Sequence, residues 1–190
     1  KMIEILIEHK PTYLHLNSHF YNEKNFVKKN SMKPTISLKE DLITTDKSVI
    51  TSTLGIYVTF LSSAVIKKSE FSKITVPKKF YKTHFLHAHV IYTILEGENK
   101  KVYVTKDVCV VAKGNNSGGY NLYEVWVKQY KRLLLITAVK SGFSEEQMKQ
   151  QYIADVNGLI RGFILNFRIN QTKFDMQNRI ILLKYTWKYP

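Results

Sequence analysis

The chain has 190 residues, of which 44% are hydrophobic and 13% aromatic, and its formal net charge is +14. This length matches one domain or little more, and the apolar content excludes a disordered polypeptide. The longest apolar run, residues 133–139, is far shorter than the roughly 20 residues of a membrane-spanning helix, so none is predicted.

The positive charge comes almost entirely from lysine, with 25 lysines and 4 arginines. Such an excess suits an anionic partner. Arginine, the preferred residue for bidentate recognition of phosphates and bases, is scarce. A composition rich in lysine, asparagine, isoleucine and tyrosine also arises in an AT-rich genome. A functional and a compositional origin of the charge therefore both stay open.

The first 48 residues differ from the rest of the chain. Short apolar pieces are separated by polar and charged ones, and Pro11 and Pro34 interrupt them. Residues 2–7 alternate imperfectly, which fits either a strand or a short helix. We predict that residues 1–48 are an N-terminal arm or linker segment and that residues 49–190 form a single α+β domain.

Residues 49–140 are rich in β-branched and aromatic residues, which favour strands. The five-residue connection 96–100 contains Gly97 and is typical of a hairpin loop. We therefore predict an antiparallel β-meander of about five to seven strands. Its strands fall within residues 49–66, 71–77, 83–95, 101–112 and 120–140, the last divided by a turn at 128–132.

A long helix is predicted over residues 144–167. Ser144 and Gln147 have the spacing of a capping box, and Phe143 and Met148 have that of a hydrophobic staple. Apolar residues then recur every three or four positions. After it, residues 179–187 predict a final strand. The predicted fold class is α+β, with the meander packed against this one long helix.

One ridge of this helix carries only small residues, Ala154, Gly158 and Gly162, spaced four apart. A glycine inside a helix costs about 1 kcal/mol relative to alanine, so a compensating role is expected. Close approach of a strand or second helix is one such role. The alternative is a ridge that makes room for a ligand or a partner protein.

The strand at 133–139 followed by the helical pattern at 144–160 resembles the end of a pleckstrin-homology domain, where a last strand leads into a C-terminal helix. The resemblance covers about 30 residues of the 190. The helix lacks that family's characteristic tryptophan, and a strand after the helix departs from its pattern. The resemblance implies lipid binding and assigns no site residues.

No catalytic, cofactor or metal site is predicted. His87 and His89 would share one face of a strand, but a zinc site needs a further ligand, and only Asp107 and Cys109 on the paired strand could supply one. A single cysteine excludes an intramolecular disulfide. The chain contains no G-x-S-x-G, H-E-x-x-H, P-loop or dinucleotide-binding motif. We therefore expect that it is not an enzyme.

Basic residues cluster around predicted turns, which can converge at one end of a meander. Exposed aromatic residues among them, such as Phe71, Phe80 and Tyr81, would suit an acidic lipid surface or a nucleic-acid backbone. The predicted anionic-surface residues are Lys67, Lys68, Lys73, Lys78, Lys79, Lys82, Lys100, Lys101, Lys128, Lys131 and Arg132.

These observations favour a non-enzymatic basic binding domain that recognises an anionic lipid or membrane surface, or an apolar, lipid-like ligand. The alternative is a subunit of a larger assembly that binds nucleic acid or protein through the lysine-rich turns. An enzyme of unknown type is the third hypothesis.

Overall fold

A computed structural model describes residues 2–21, 33–113 and 121–162. Helices and short strands alternate in these residues, which confirms the predicted α+β class. The helices are α1 (Met2–Glu8), α2 (Lys47–Leu54), α3 (Lys68–Phe71), α4 (Leu86–Ile94), α5 and α6 (Glu145–Asp155). Helix α5 is the unbroken succession of a π-helical stretch, one α-helical turn and a second π-helical stretch: Tyr123–Gln129, Tyr130–Arg132 and Leu133–Ala138. Helix α6 continues into the π-helical stretch Val156–Ile160.

The strands of the described residues are short and form two sheets. They are β1 (Tyr13–His15), β2 (Ser18–Tyr21), β3 (Leu42–Thr44), β4 (Ala64–Ile66), β5 (Val102–Val104) and β6 (Val110–Lys113). The first sheet has the order β3-β5-β1-β4, in which β1 is parallel to β5 and the other two pairs are antiparallel. The second sheet pairs β2 with β6 in parallel.

The four-stranded sheet is covered on both faces. Because side chains alternate along a strand, Tyr13 faces the opposite way from Leu14. Tyr13 joins the main core, which also contains residues of α2, α4, α5 and α6. Leu14 and Tyr103 pack with Ile5 of α1 in a smaller cluster on the other face. The sheet therefore lies between α1 and the body of helices.

The predicted meander is wrong, because no two strands that follow each other in the described sequence are paired. Most of its predicted strands are helical. Residues 49–66 form the end of α2, two 3₁₀ segments and only the three residues of β4. Residues 83–95 contain α4, and residues 120–140 contain α5, while residues 71–77 contain no strand. Only residues 101–112 contain strands as predicted, in β5 and β6.

Burial on more than one side explains this error. In α4 five consecutive residues from Ala88 to Tyr92 are buried, and in α5 Tyr123, Val125 and Val127 are buried in alternation. A helix surrounded by other elements needs apolar residues all round, so its sequence loses the polar face on which helix recognition depends. Strand propensity largely reports side-chain packing and burial, and these helices provide both.

The single long helix is also an error, since several helices pack together, but its predicted start is correct. The Ser144 side chain accepts a hydrogen bond from the Gln147 N–H at 3.4 Å, and Phe143 and Met148 are both buried. Of the predicted span 144–167, the described part is helical to residue 162. The predicted final strand at 179–187 lies outside the described residues.

The N-terminal 48 residues share the sheet with the rest of the chain. They supply β1, β2 and β3, and β1 lies between β5 and β4. Residues 2–7, for which the sequence left two possibilities open, form the helix α1. The domain boundary after residue 48 stays a prediction.

Helix α5 ends at a glycine in the left-handed region. Gly142 has φ 85°, its N–H donates to the carbonyl oxygen of Val139 at 2.9 Å, and the N–H of Phe143 donates to that of Ala138 at 3.1 Å. These two bonds define a Schellman motif. The chain can therefore reverse direction here and begin α6 three residues after Gly142.

Lys47 of α2 locks this turn to the rest of the fold. Its Nζ donates to the carbonyl oxygen of Ser141 at 2.7 Å and lies 5.4 Å from the centroid of the Phe143 ring. A Cβ added at Gly142 would lie 2.6 Å from this Nζ. Both the left-handed backbone conformation and the Lys47 side chain from another helix therefore disfavour a side chain at Gly142.

We expect Gly142→Ala to lower the free energy of unfolding by about 2 kcal/mol, of which about half is left-handed strain and half the loss of the Lys47 bond. Urea unfolding measures the change. Gly97→Ala is the matched control, because Gly97 has φ 89° and no described atom within 4 Å of the added Cβ. It should cost about 1 kcal/mol, from strain alone. Equal losses for the two variants would contradict the role given to Lys47.

Candidate anionic-surface site

The six lysines predicted around the strand 71–77 lie in one segment, residues 67–82, most of whose side chains are exposed. It contains six lysines and one glutamate, hence a net charge of +5 over 16 residues. Helix α3 is a single turn, and the chain then runs irregularly to Pro77 and the 3₁₀ segment Lys78–Phe80. Because so little of the segment is packed in regular structure, all six of its lysines are exposed.

A few apolar side chains hold the segment to the core. Phe80 is buried and stacks on His89 of α4, with ring centroids 3.9 Å apart, and Ile74 and Val76 pack against the main core. Phe71 and Tyr81, in contrast, are 51% and 59% exposed. The segment therefore presents aromatic rings and lysines outward together.

Glu70 neutralises part of this charge. Its carboxylate forms ion pairs with Lys100 at 2.5 Å and with Lys73 at 2.9 Å. The hydrogen bonds from Lys100 and then Lys73 lower the pKa of Glu70 to about 2. These contacts bring Lys100, predicted at a separate turn, to the segment 67–82, and they engage both lysines.

Lys101 lies near the start of the same segment. The N–H of Lys67 donates to the carbonyl oxygen of Thr12 at 3.1 Å, and the N–H of Thr12 donates to that of Lys101 at 2.8 Å. Lys67 and Lys101 therefore flank the beginning of β1. The Lys101 ammonium is engaged by the carbonyl oxygen of His9 at 3.0 Å.

The other predicted basic residues lie on α5 rather than at a turn, because the predicted turn at 128–132 is helical. Lys128 is paired with Glu124 at 2.9 Å, and the Lys131 ammonium lies 5.4 Å from the centroid of the Tyr152 ring. Arg132 follows on the same helix. The charge of Arg132 acts on His89 of α4, as does the charge of Lys79 in the segment 67–82.

Five lysines remain that form no ion pair with any other described residue, and all are exposed: Lys67, Lys68, Lys78, Lys79 and Lys82. We call these five, with Phe71 and Tyr81, the basic–aromatic surface. The Lys79 ammonium lies 5.2 Å from the centroid of the Phe80 ring, a cation–π distance. Long lysine side chains of this kind can bring their charge to a partner while the stem stays against the protein.

The two histidines do not share a face. His87 and His89 lie on α4, where residues two apart point in nearly opposite directions. His89 is buried, with Nδ1 2.7 Å from Thr137 Oγ1, while His87 Nε2 is 2.6 Å from the carbonyl oxygen of Thr59. Burial, followed by nearby positive charges, lowers the pKa of His89 to about 4. Residues 2–21, 33–113 and 121–162 contain no group of three or more side chains that could hold a metal ion.

The small-residue ridge faces outward. Ala154, Gly158 and Gly162 are exposed, and no described heavy atom lies within 4 Å of a Cβ built at either glycine. The opposite side of α6 packs inward through Tyr152 and Val156. No strand or helix among the described residues covers the ridge, so a ligand or partner there stays a prediction.

Asp155 is a buried acid that the sequence analysis did not single out. It is 6% exposed, and its Oδ2 accepts hydrogen bonds from Tyr130 at 2.5 Å and from Gln151 at 2.9 Å. The sequence did carry a signal for this site, because Asp155 lies between Tyr152 and Val156 on the apolar side of a predicted helix. Because the buried carboxylate is held by these two hydrogen bonds, we assign this group to stability.

Comparison of the chain with protein-family models, with curated proteins and with solved structures finds no match. Among the helices that the structure describes, none is both long and apolar enough to cross a membrane.

Proposed function

We propose that this chain is a non-enzymatic binding domain that docks on an anionic membrane surface through its basic–aromatic surface. The observation that carries the proposal is the combination in residues 67–82 of five exposed lysines, without ion-pair partners among the described residues, and two exposed aromatic rings. Anionic lipid head groups attract the lysines. Phe71 and Tyr81 can enter the interfacial layer, where aromatic side chains are favoured.

The expected energies are sufficient for reversible binding. Each lysine near an anionic leaflet contributes about 1 kcal/mol, so the five lysines supply roughly 5 kcal/mol before any aromatic insertion. Lysine is a flexible point charge, which suits a fluid array of head groups. It is less suited to the bidentate base recognition that arginine provides.

The test is binding of the purified protein to sedimented vesicles. One set contains phosphatidylcholine alone, and the other contains phosphatidylcholine with phosphatidylserine. We expect binding only to the phosphatidylserine vesicles, with affinity that falls as salt screens the lysines. A labelled single-stranded oligonucleotide is measured in parallel. Oligonucleotide binding without vesicle binding would overturn the proposal in favour of nucleic acid.

A matched pair of variants separates the surface from net charge. Lys82→Gln removes a lysine of the basic–aromatic surface and should weaken vesicle binding about fivefold, which corresponds to about 1 kcal/mol. Lys128→Gln removes the same charge at a lysine already paired with Glu124. It should change binding less than twofold. Equal losses in the two variants would mean that overall charge, rather than this surface, drives binding.

A further inference from the structure

A groove of about 280 Å³ lies between helix α1 and the edge strand β4. Its walls are mainly aliphatic, with two lysines among them, and its lining residues are Leu6, Lys10, Pro11, Val65, Ile66 and Lys67. The volume is close to the lower end of the range for small-molecule sites, roughly 300–1,000 Å³. The groove is therefore large enough for part of a slender apolar chain.

The fold explains why this groove is open. Helix α1 covers the sheet by burying Ile5 against Leu14 and Tyr103, which lie on inner strands. Leu6, the next residue of α1, turns toward the edge of the sheet and stays partly exposed beside Val65. No described strand pairs with the outer edge of β4, so one side of the groove remains uncovered.

The apolar surface continues beyond the groove along the same helix. Ile3 and Ile7, one turn apart on α1, are each 68% exposed. Covering these side chains with a ligand or partner is favourable, because it removes apolar surface from water. Groove and helix face together offer a path for a chain longer than the groove itself.

The charge at the groove is positive. Lys10 and Lys67 are both exposed, and Lys10 has φ 47°, a conformation that is unfavourable for a residue with a side chain. Glu4 and Glu8 of α1 each lie two positions from Leu6, about 200° around the helix axis, so they point away from the groove. No described carboxylate is among the lining residues.

We propose that this groove binds a free fatty acid. The alkyl chain lies along Leu6, Val65 and Ile66, and the carboxylate pairs with Lys10 and Lys67. Charge complementarity favours an anionic head group, and the small volume of the groove favours a single unbranched chain. The groove shares Lys67 with the basic–aromatic surface. The proposal nevertheless does not depend on membrane docking, because it requires neither Phe71 nor Tyr81 and is tested without vesicles.

Calorimetric titration with octanoate, decanoate and laurate, below their micelle concentrations and without vesicles, tests the proposal. Affinity should rise about fourfold for each added methylene until the groove is full. Dodecyltrimethylammonium has the chain of laurate with the opposite charge, and it should bind at least tenfold more weakly. Equal binding of the two amphiphiles, or no dependence on chain length, would overturn the proposal.

Variants locate the site. The double variant Lys10→Gln with Lys67→Gln should weaken laurate binding about tenfold, whereas Lys82→Gln should leave it unchanged. Val65→Phe fills the groove and should abolish binding, with a melting curve to confirm that the variant is folded. If Val65→Phe does not fold, the lysine variants and the ligand series decide whether the groove binds a fatty acid. If the protein binds vesicles but not laurate, only the fatty-acid proposal is overturned. If it binds laurate but not vesicles, only the membrane proposal is overturned.

Discussion

Asn17→Asp is expected to lower the free energy of unfolding by about 4 kcal/mol. The Asn17 side chain is fully buried, and its Nδ2 donates to the carbonyl oxygens of Ile36 at 2.7 Å and Lys106 at 3.1 Å. An aspartate of the same shape would direct a carboxylate oxygen at those two carbonyl oxygens. Two hydrogen bonds would be replaced by repulsion, and a negative charge would be buried without a cation.

The other side-chain atom of Asn17 makes the position still less tolerant. Its Oδ1 accepts from the N–H of Ser18 at 3.0 Å, from the N–H of Ile36 at 3.1 Å and from Thr35 Oγ1 at 3.2 Å. One amide thus joins the start of β2 to residues 35–36 and to the chain after β5. Loss of this junction should release several loops at once.

Urea unfolding of Asn17→Asp measures the effect, and Asn121→Asp is its matched control. Asn121 precedes α5, and its Oδ1 accepts from the N–H of Glu124 at 2.9 Å, the N-cap arrangement. Aspartate is as good an N-cap as asparagine, so the control should change the free energy of unfolding by less than about 0.5 kcal/mol. A similarly small change in Asn17→Asp would contradict the conclusion that the buried Asn17 amide stabilises the junction of these segments.

Tyr130→Phe is expected to cost about 3 kcal/mol at neutral pH, because it removes the hydroxyl that donates to the buried Asp155 carboxylate. Among the described residues, only Gln151 would then remain as a donor to Oδ2. Tyr130 itself stays protonated, since burial, followed by the Asp155 charge, raises its pKa. The decrease in the free energy of unfolding therefore measures how far the Tyr130 hydroxyl stabilises the buried Asp155 carboxylate.

The same pair predicts a pH dependence of stability. Burial raises the pKa of Asp155 above its ordinary value of 3.8, although the bonds from Tyr130 and Gln151 act in the opposite direction. The stability contributed by this carboxyl is therefore complete below pH 3.8 and is lost as the pH rises through the raised folded pKa. In Tyr130→Phe the pKa rises further, and the loss should extend to higher pH.

Asp155→Asn provides the control, since an amide cannot ionise. The free energy of unfolding of Asp155→Asn relative to the unmodified protein should increase with pH across this window. Chemical unfolding of both proteins and of Tyr130→Phe from acid to neutral pH measures the three profiles. Parallel profiles for Asp155→Asn and the unmodified protein would mean that the pKa of Asp155 is the same in the folded and unfolded states, which would contradict the raised pKa of the folded protein.

The start of α6 was predictable because its signals are local. Ser144 and Gln147 lie three residues apart, and their hydrogen bond depends on little else in the chain. The left-handed turn at Gly142 is equally local. Capping residues compensate for unpaired backbone groups wherever a helix begins or ends.

The identity of the inner helices was not predictable from periodicity. Tyr123, Val125 and Val127 alternate with Glu124, Trp126 and Lys128, the pattern typical of a half-buried strand. In the fold these residues belong to a helix packed on several sides, so alternate residues are buried without a strand. Tertiary packing decides between the two structures here, and the local pattern does not carry that information.

The candidate site was predictable only where its residues are close together in the sequence. The lysines of residues 67–82 are adjacent in sequence, so their clustering follows from the sequence alone. The pairing of Glu70 with Lys100 joins residues 30 positions apart and required the fold. The groove between α1 and β4 depends on packing between distant segments, and the sequence carries no signal for it.

The most direct test of the proposed function is the membrane depth of one aromatic side chain. A nitroxide is attached to a cysteine at position 81 or at position 146 after Cys109→Ser, because Cys109 is the only native cysteine. Tyr81 belongs to the basic–aromatic surface, whereas Glu146 is an exposed acid on α6. With phosphatidylserine vesicles, we expect the label at 81 to become more accessible to oxygen and less accessible to an aqueous nickel complex, while the label at 146 does not change. An unchanged label at 81 on vesicle-bound protein would contradict the proposed function.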